Sequence, residues 1–167
     1  EVSIGGFLVN FFGEPDIANM PEKIAGNYVS YYWGGAMVGR FVGSALLQKI
    51  KAERLLAIAA IGALTLVLIT IMTTGHMAMW AILLVGLCNS VMFPNIFTLS
   101  ISGLGKQTSR GSGLLVMAIV GGAIVPLIQG LLADSFGVQI SFSVGFLCYG
   151  YILFYALRGY RLKEAII

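Results

Sequence analysis

The chain has 167 residues, 58% of them hydrophobic and only 10% charged, with a formal net charge of +3, and its mean hydropathy is +0.92. A water-soluble domain carries about a quarter charged residues, so this composition excludes one and marks an integral membrane protein. A balance of +3, carried by residues beside apolar runs, also excludes nucleic-acid binding.

Apolar runs divide the chain into six segments, about 1–13, 25–48, 55–74, 77–104, 111–133 and 138–157. Turn and cap residues separate them, as in "GEPDIANMPEK", "QKIKAE", "TTGH", "GLGKQTSRGS" and "DSFG". Unpaired backbone is intolerable in lipid, so all six are expected to be helices. The ten-residue alternation of an outer-membrane barrel is absent.

The first segment, "EVSIGGFLVNFF", is a dozen residues long, whereas a bilayer core of about 30 Å needs about 20 helical residues. It is therefore expected to be a truncated span. Glu1 then lies about 18 Å from the outer end, near mid-depth, at the 1.5 Å rise of a helix. It is the only carboxylate placed within the membrane, and an acidic group there is read as functional. Asn10 lies towards the outer end of the same segment.

The second segment carries Asn27 and, one turn on, Tyr31. Arg40 sits about two turns from its cytoplasmic end, where snorkelling or pairing with helix carboxyl ends is expected. Tyr28, Trp33 and Trp80 of the fourth segment fall where an aromatic belt anchors helices at the outer interface. The fourth segment also holds "CNSVMFPN", with Asn89, Phe93, Pro94 and Asn95, an unusual load of polarity for a span. Cys88 and Cys148 lack metal or CxxC spacing and are read as small packing hydrophobes. The single histidine, His76, has no companion ligands, so neither a metal nor another cofactor is expected. No nucleophile–base pair appears among the spans, so the chain is not read as an enzyme.

Six successive spans make the loops alternate sides. Arg40, Lys49, Lys51, Arg54, Lys106, Arg110, Arg158, Arg161 and Lys163 collect on one side and only Lys23 on the other. By the positive-inside rule the first group and the carboxyl terminus face the cytoplasm.

Residues 26–43, "GNYVSYYWGGAMVGRFVG", match residues 113–130, "GLLVMAIVGGAIVPLIQG", at seven of eighteen positions with an offset of 87. That offset carries the second helix onto the fifth, three helices later, so the two units run in opposite senses. This predicts a 3+3 inverted repeat, from which many secondary transporters are built. Its glycines serve close packing, rocking between helices, or both.

These segments resemble a known family. "EVSIGGFLVNFF", "NYVSYYWGGAMVGRFVG", "FPNIFTLSISGLGKQTSRGSGLLVMAIVGGAIVPLIQGLLAD" and "ALRGYRL" are similar to the carboxyl-terminal half of major facilitator superfamily sugar symporters, in the fucose/glucose–galactose:proton branch. "PLIQGLLAD" is nearer the glucose/galactose members. "GRFVG" resembles the superfamily's signature loop, although Gln48-Lys49 stands where an acidic residue and arginine are usual. The resemblance implies proton-coupled import of a hexose across a bacterial inner membrane by alternating access. It also implies a missing amino-terminal six-helix half that holds the main proton carriers.

In that fold the fourth helix of each half is expected to line the central cavity. Asn89, Phe93, Phe97 and Ser100 share one helical face; an amide, two aromatic plates and a hydroxyl suit a sugar, whose C–H faces stack and whose hydroxyls pair with amides. Asn95 either repairs the backbone freed by Pro94 or reaches the cavity from the bent segment. Glu1 is expected to orient sugar rather than carry the proton; Asn10, Asn27 and Gln129 lie near an outer vestibule as sugar-contacting, interfacial or capping groups, and Tyr31 follows Asn27 on the same face as a stacking partner for the sugar. Two rival functions remain open, a passive facilitator or channel-like pore and a structural subunit without substrate, although nothing resembles a filter loop or a charge ring.

Overall fold

In a computed structural model, residues 1–159 are described, and all regular structure among them is helical. Arg161 and Lys163 of the basic carboxyl-terminal tail lie outside the described residues. The helices are α1 (Val2–Gly13), α2 (Glu22–Leu47), α3 (Ala52–Met72), α4 (Gly75–Ile101), α5 (Thr108–Met117), α6 (Gly121–Phe136), α7 (Val138–Ser141) and α8 (Ser143–Leu157).

Two apolar runs predicted as single helices are divided. A 3-10 turn at Ala118–Val120 separates α5 from α6, and Phe142 separates α7 from α8. Pro126 within α6 has no N–H to donate towards the preceding turn, which weakens the helix just after that 3-10 turn. By contrast α4 runs unbroken through Pro94 for 27 residues, packed along α2 and α3. Among the described residues, four stretches are long and apolar enough to cross a membrane: Ala52–Met72, Gly75–Ile101, Gly105–Phe136 and Val138–Leu157. α2 has the length, at 26 residues, but mixes asparagine, tyrosines and arginine into its apolar run.

Between helices in lipid, packing and hydrogen bonds drive association rather than water exclusion. Small residues let α2 and α4 meet backbone to backbone. A Cβ on Gly39 would stand 2.7 Å from the Leu87 carbonyl oxygen, and one on Gly86 would stand 2.6 Å from that of Tyr32. Gly43 lies against Val91 further along, so the two helices run in the same direction. α1 runs against α2, since Gly5 meets Trp33 while the Phe12 and Tyr28 rings meet edge to face at 6.2 Å. It runs with α6, since Ser3 meets Gln129, Phe7 meets Gly130, and Phe11 packs on Phe142 just beyond the end of α6. α2 and α6 therefore have opposite senses, as the internal repeat requires.

The alanines of α3 (Ala59, Ala60 and Ala63) are buried and allow α3 to pack closely against α4 and α8. Its carboxyl end is capped from another helix. Gln139 of α7 donates its side-chain amide to the carbonyls of Thr70 at 2.8 Å, Ile71 at 3.3 Å and Thr73 at 2.7 Å. These carbonyls lack intrahelical donors, so the amide satisfies groups that would otherwise be orphaned. Gln139→Leu is expected to cost about 1–3 kcal/mol through those unpaired carbonyls. Gln139→Glu, which has no N–H to give, is expected to be no better, and a melting curve equal to the parent's for either would show that the cap is idle.

Gly105–Phe136 is the exception to close packing. Only 6% of its most apolar window is buried, against 39% for α3 and 44% for α4. Its apolar side chains, including Leu114, Met117, Leu127 and Leu131, are exposed.

Candidate functional site

A cleft of about 550 Å³ opens between α1, α4, the α5–α6 stretch and α8. Its wall is mostly apolar, with a few polar groups: Glu1, Ser3, Asn89, Gln129 and Tyr149. That composition suits a small polar ligand with apolar faces, held by a few well-placed hydrogen bonds.

Asn89 sits at the centre of the polar groups. Its Nδ2 donates to the Tyr32 hydroxyl at 2.9 Å, and its Oδ1 accepts from the Tyr149 hydroxyl at 2.7 Å. Tyr32 donates to the backbone carbonyl of Glu1 at 3.3 Å. One carboxamide thus joins α8, α4, α2 and the start of α1. All three side chains are buried, and a buried polar group that finds partners costs little where an unpaired one costs much. The polarity of the span at Asn89 has this structural explanation as well as its place in the cleft wall.

Of the nine residues singled out from sequence, Glu1, Asn89, Phe93 and Gln129 are brought together at the cleft. Phe93 is 53% exposed and stands at its edge. Its ring lies 6.1 Å from that of Phe97, tilted by 41°, but Phe97 does not border the cleft. Ser100 turns away to pair with the Tyr155 hydroxyl at 2.7 Å, so the predicted four-residue face divides between the cleft and the contact with α8. Gln129 is fully buried and accepts a hydrogen bond from Ser3, while its Nε2 has no partner among the described residues.

Asn95 is buried and outside the cleft wall, and its Nδ2 has no partner among the described residues. No bond from that nitrogen to the backbone around Pro94 is formed. Asn10, Asn27 and Tyr31 are exposed and away from the cleft. Asn10 borders a second, shallower hollow with Glu14 and Glu22, and Tyr31 packs on Tyr28 at 5.6 Å beside Trp80.

Tyr32, Tyr149, Ser3 and Cys148 were not expected at the site. Cys148, read from sequence as a packing thiol, is exposed and borders the cleft. The signal that pointed to the tyrosines was Asn89 itself, since a mid-span amide requires partners. Nothing in the sequence says which residues, 57 and 60 positions away, supply them.

No family profile matches the sequence. Individual proteins do. The glucose/galactose transporter of Brucella abortus is 55% identical over 159 residues, covering 95% of this chain and 39% of the relative. A putative glucose/galactose transporter of Helicobacter pylori is 46% identical, covering 98% and 41%. The L-fucose-proton symporter of Escherichia coli is 32% identical, covering 90% and 34%. Among solved structures, the major facilitator superfamily transporter FucP in the outward conformation matches with a TM-score of 0.89 at 30% identity, over 93% of this chain and 37% of that one. In fold and sequence this helical bundle is similar to transporters of the major facilitator superfamily, and among them to glucose/galactose transporters and fucose–proton symporters. The chain spans about two fifths of the length of the relatives it matches, and its fold matches a similar share, 37%, of that solved transporter.

Proposed function

We propose that this chain is the carboxyl-terminal six-helix half of a transporter that carries a hexose across the bacterial inner membrane, coupled to protons by alternating access. The observation that carries this reading is its 55% identity, over 95% of its length, to a protein described as a glucose/galactose transporter. Proton coupling draws on the 32% identity to a protein described as a proton symporter. The cleft adds chemical support, with Asn89 and Gln129 amides and an exposed phenyl ring bordering one space.

An amino-terminal six-helix half is the proposed partner, together with the sugar, the proton and the lipid bilayer. The exposed apolar side chains of Gly105–Phe136 have little to pack against within this chain, which fits a helix shared with that half and with lipid. The excess of basic residues in the loops on one side supports a cytoplasmic carboxyl terminus. Asn89, Phe93, Gln129 and Glu1 are proposed sugar contacts from this half. Asn10, Asn27, Tyr31, Phe97 and Asn95 stand outside the cleft in this conformation and would contact sugar only in another.

Uptake of radiolabelled hexose into proteoliposomes of the complete transporter tests the reading. Accumulation above the external concentration only when a proton gradient is imposed is the expected result. Equilibration that ignores the gradient would mean a passive facilitator, and no uptake at all a structural subunit. Glu1→Gln is expected to weaken sugar binding yet leave some proton-driven uptake, because the coupling groups are assigned to the other half. Normal sugar affinity with complete loss of coupling would instead make Glu1 the proton carrier.

A further inference from the structure

The bonds around Asn89 fix which way each proton points. The Glu1 backbone carbonyl can only accept, so Tyr32 spends its single proton there and must receive from Asn89. That places Nδ2 towards Tyr32 and Oδ1 towards Tyr149, and a carboxamide oxygen can only accept. The Tyr149 proton is therefore committed to Asn89, and its oxygen has only lone pairs left to offer. Asn89 keeps a second Nδ2 proton. Tyr149 and Asn89 both border the cleft, whereas Tyr32 does not. The wall thus presents an acceptor-only oxygen beside a spare amide donor.

A sugar hydroxyl matches that pair, since it donates one proton and accepts another. We propose that Tyr149 is a specificity-determining residue of the transporter, accepting the proton of one sugar hydroxyl whose oxygen takes the spare proton of Asn89. This rests on the hexose reading above. Neither tyrosine carries any signal of this role in the sequence. A ligand position bearing a hydrogen or a halogen would leave the Tyr149 oxygen unpaired in an apolar wall, and sites of this kind discriminate more sharply than purely apolar ones.

The test is equilibrium binding of glucose, galactose and their monodeoxy and monofluoro analogues to the purified complete transporter, in the parent, Tyr149→Phe and Tyr32→Phe. Fluorine keeps the approximate shape of a hydroxyl but cannot donate. In the parent, the deoxy and fluoro analogues at one ring position should both bind about tenfold or more weakly than the hexose. Tyr149→Phe should bind the hexose about tenfold less well and lose its discrimination at that position alone. Tyr32→Phe, which perturbs the same bonded chain away from the cleft, should lower affinity for every analogue by a common factor. If Tyr149→Phe is too unstable to purify, the parent decides the matter: a fluoro analogue that binds as well as the hexose at every position overturns the proposal. Discrimination unchanged in Tyr149→Phe overturns it while leaving the hexose reading intact. A parent that binds neither sugar overturns both.

Discussion

Gly86→Ala is expected to melt about 6–12 °C below the parent in detergent, the shift produced by roughly 3 kcal/mol in a chain of this size. A methyl at Gly86 would stand 2.6 Å from the Tyr32 carbonyl oxygen and 2.9 Å from the edge of its ring. The first of these is backbone, which yields only if α2 moves away from α4. Displacing α2 also pulls the Tyr32 hydroxyl from Asn89, so sugar affinity should fall with stability. Gly34→Ala is the matched control. It lies on the same helix as Tyr32, nothing stands within 4 Å of its added methyl, and alanine favours a helix over glycine by about 1 kcal/mol. It should melt at or slightly above the parent temperature. Equal melting of the two variants would mean that α2 and α4 do not meet as described.

Asn89→Ala should produce the second large loss, and on two readouts. Truncation leaves the Tyr149 proton with no acceptor and removes the donor to Tyr32 in a buried, lipid-surrounded bundle. Each unpaired group costs about 1–3 kcal/mol, so a stability loss of about 2–4 kcal/mol is expected. Combining it with Tyr149→Phe should cost less than the sum of the two, by about 1 kcal/mol or more, because the second change removes the orphan that the first created. Additive costs would mean that the bond contributes nothing. Sugar binding in the complete transporter should weaken by a further 1–3 kcal/mol or so through the lost Nδ2 contact. If Asn89→Ala keeps the parent's hexose affinity while losing stability, Asn89 is a structural tie alone.

The membrane class, the helical segments and the opposite senses of the repeat were legible in sequence because each depends on local composition. Lipid forces every backbone group to pair within its own segment, so a run of apolar residues is enough to announce a helix. The internal match at Gly34-Gly35-Ala36 and Gly121-Gly122-Ala123, three helices apart, was enough to announce inversion. Asn89 announced itself too, as an amide where hydrocarbon was expected. What hydrophobicity does not encode is which faces meet. Gly39 and Gly86 look like any glycines in a span, yet only the α2–α4 crossing gives their missing side chains a purpose. The third helix had no visible cap, since Gln139 reaches it from 66 to 69 residues away. The breaks that divide the fifth and sixth runs come at Ala118–Val120 and Phe142, apolar residues with no breaker signal of their own. The cleft followed the same rule. Its polar residues were visible one by one, but the order of donors and acceptors from Tyr149 through Asn89 and Tyr32 to Glu1 exists only once four helices converge. A hydrogen bond needs two partners at about 3 Å, and tertiary packing alone brings residues so distant in sequence to that separation.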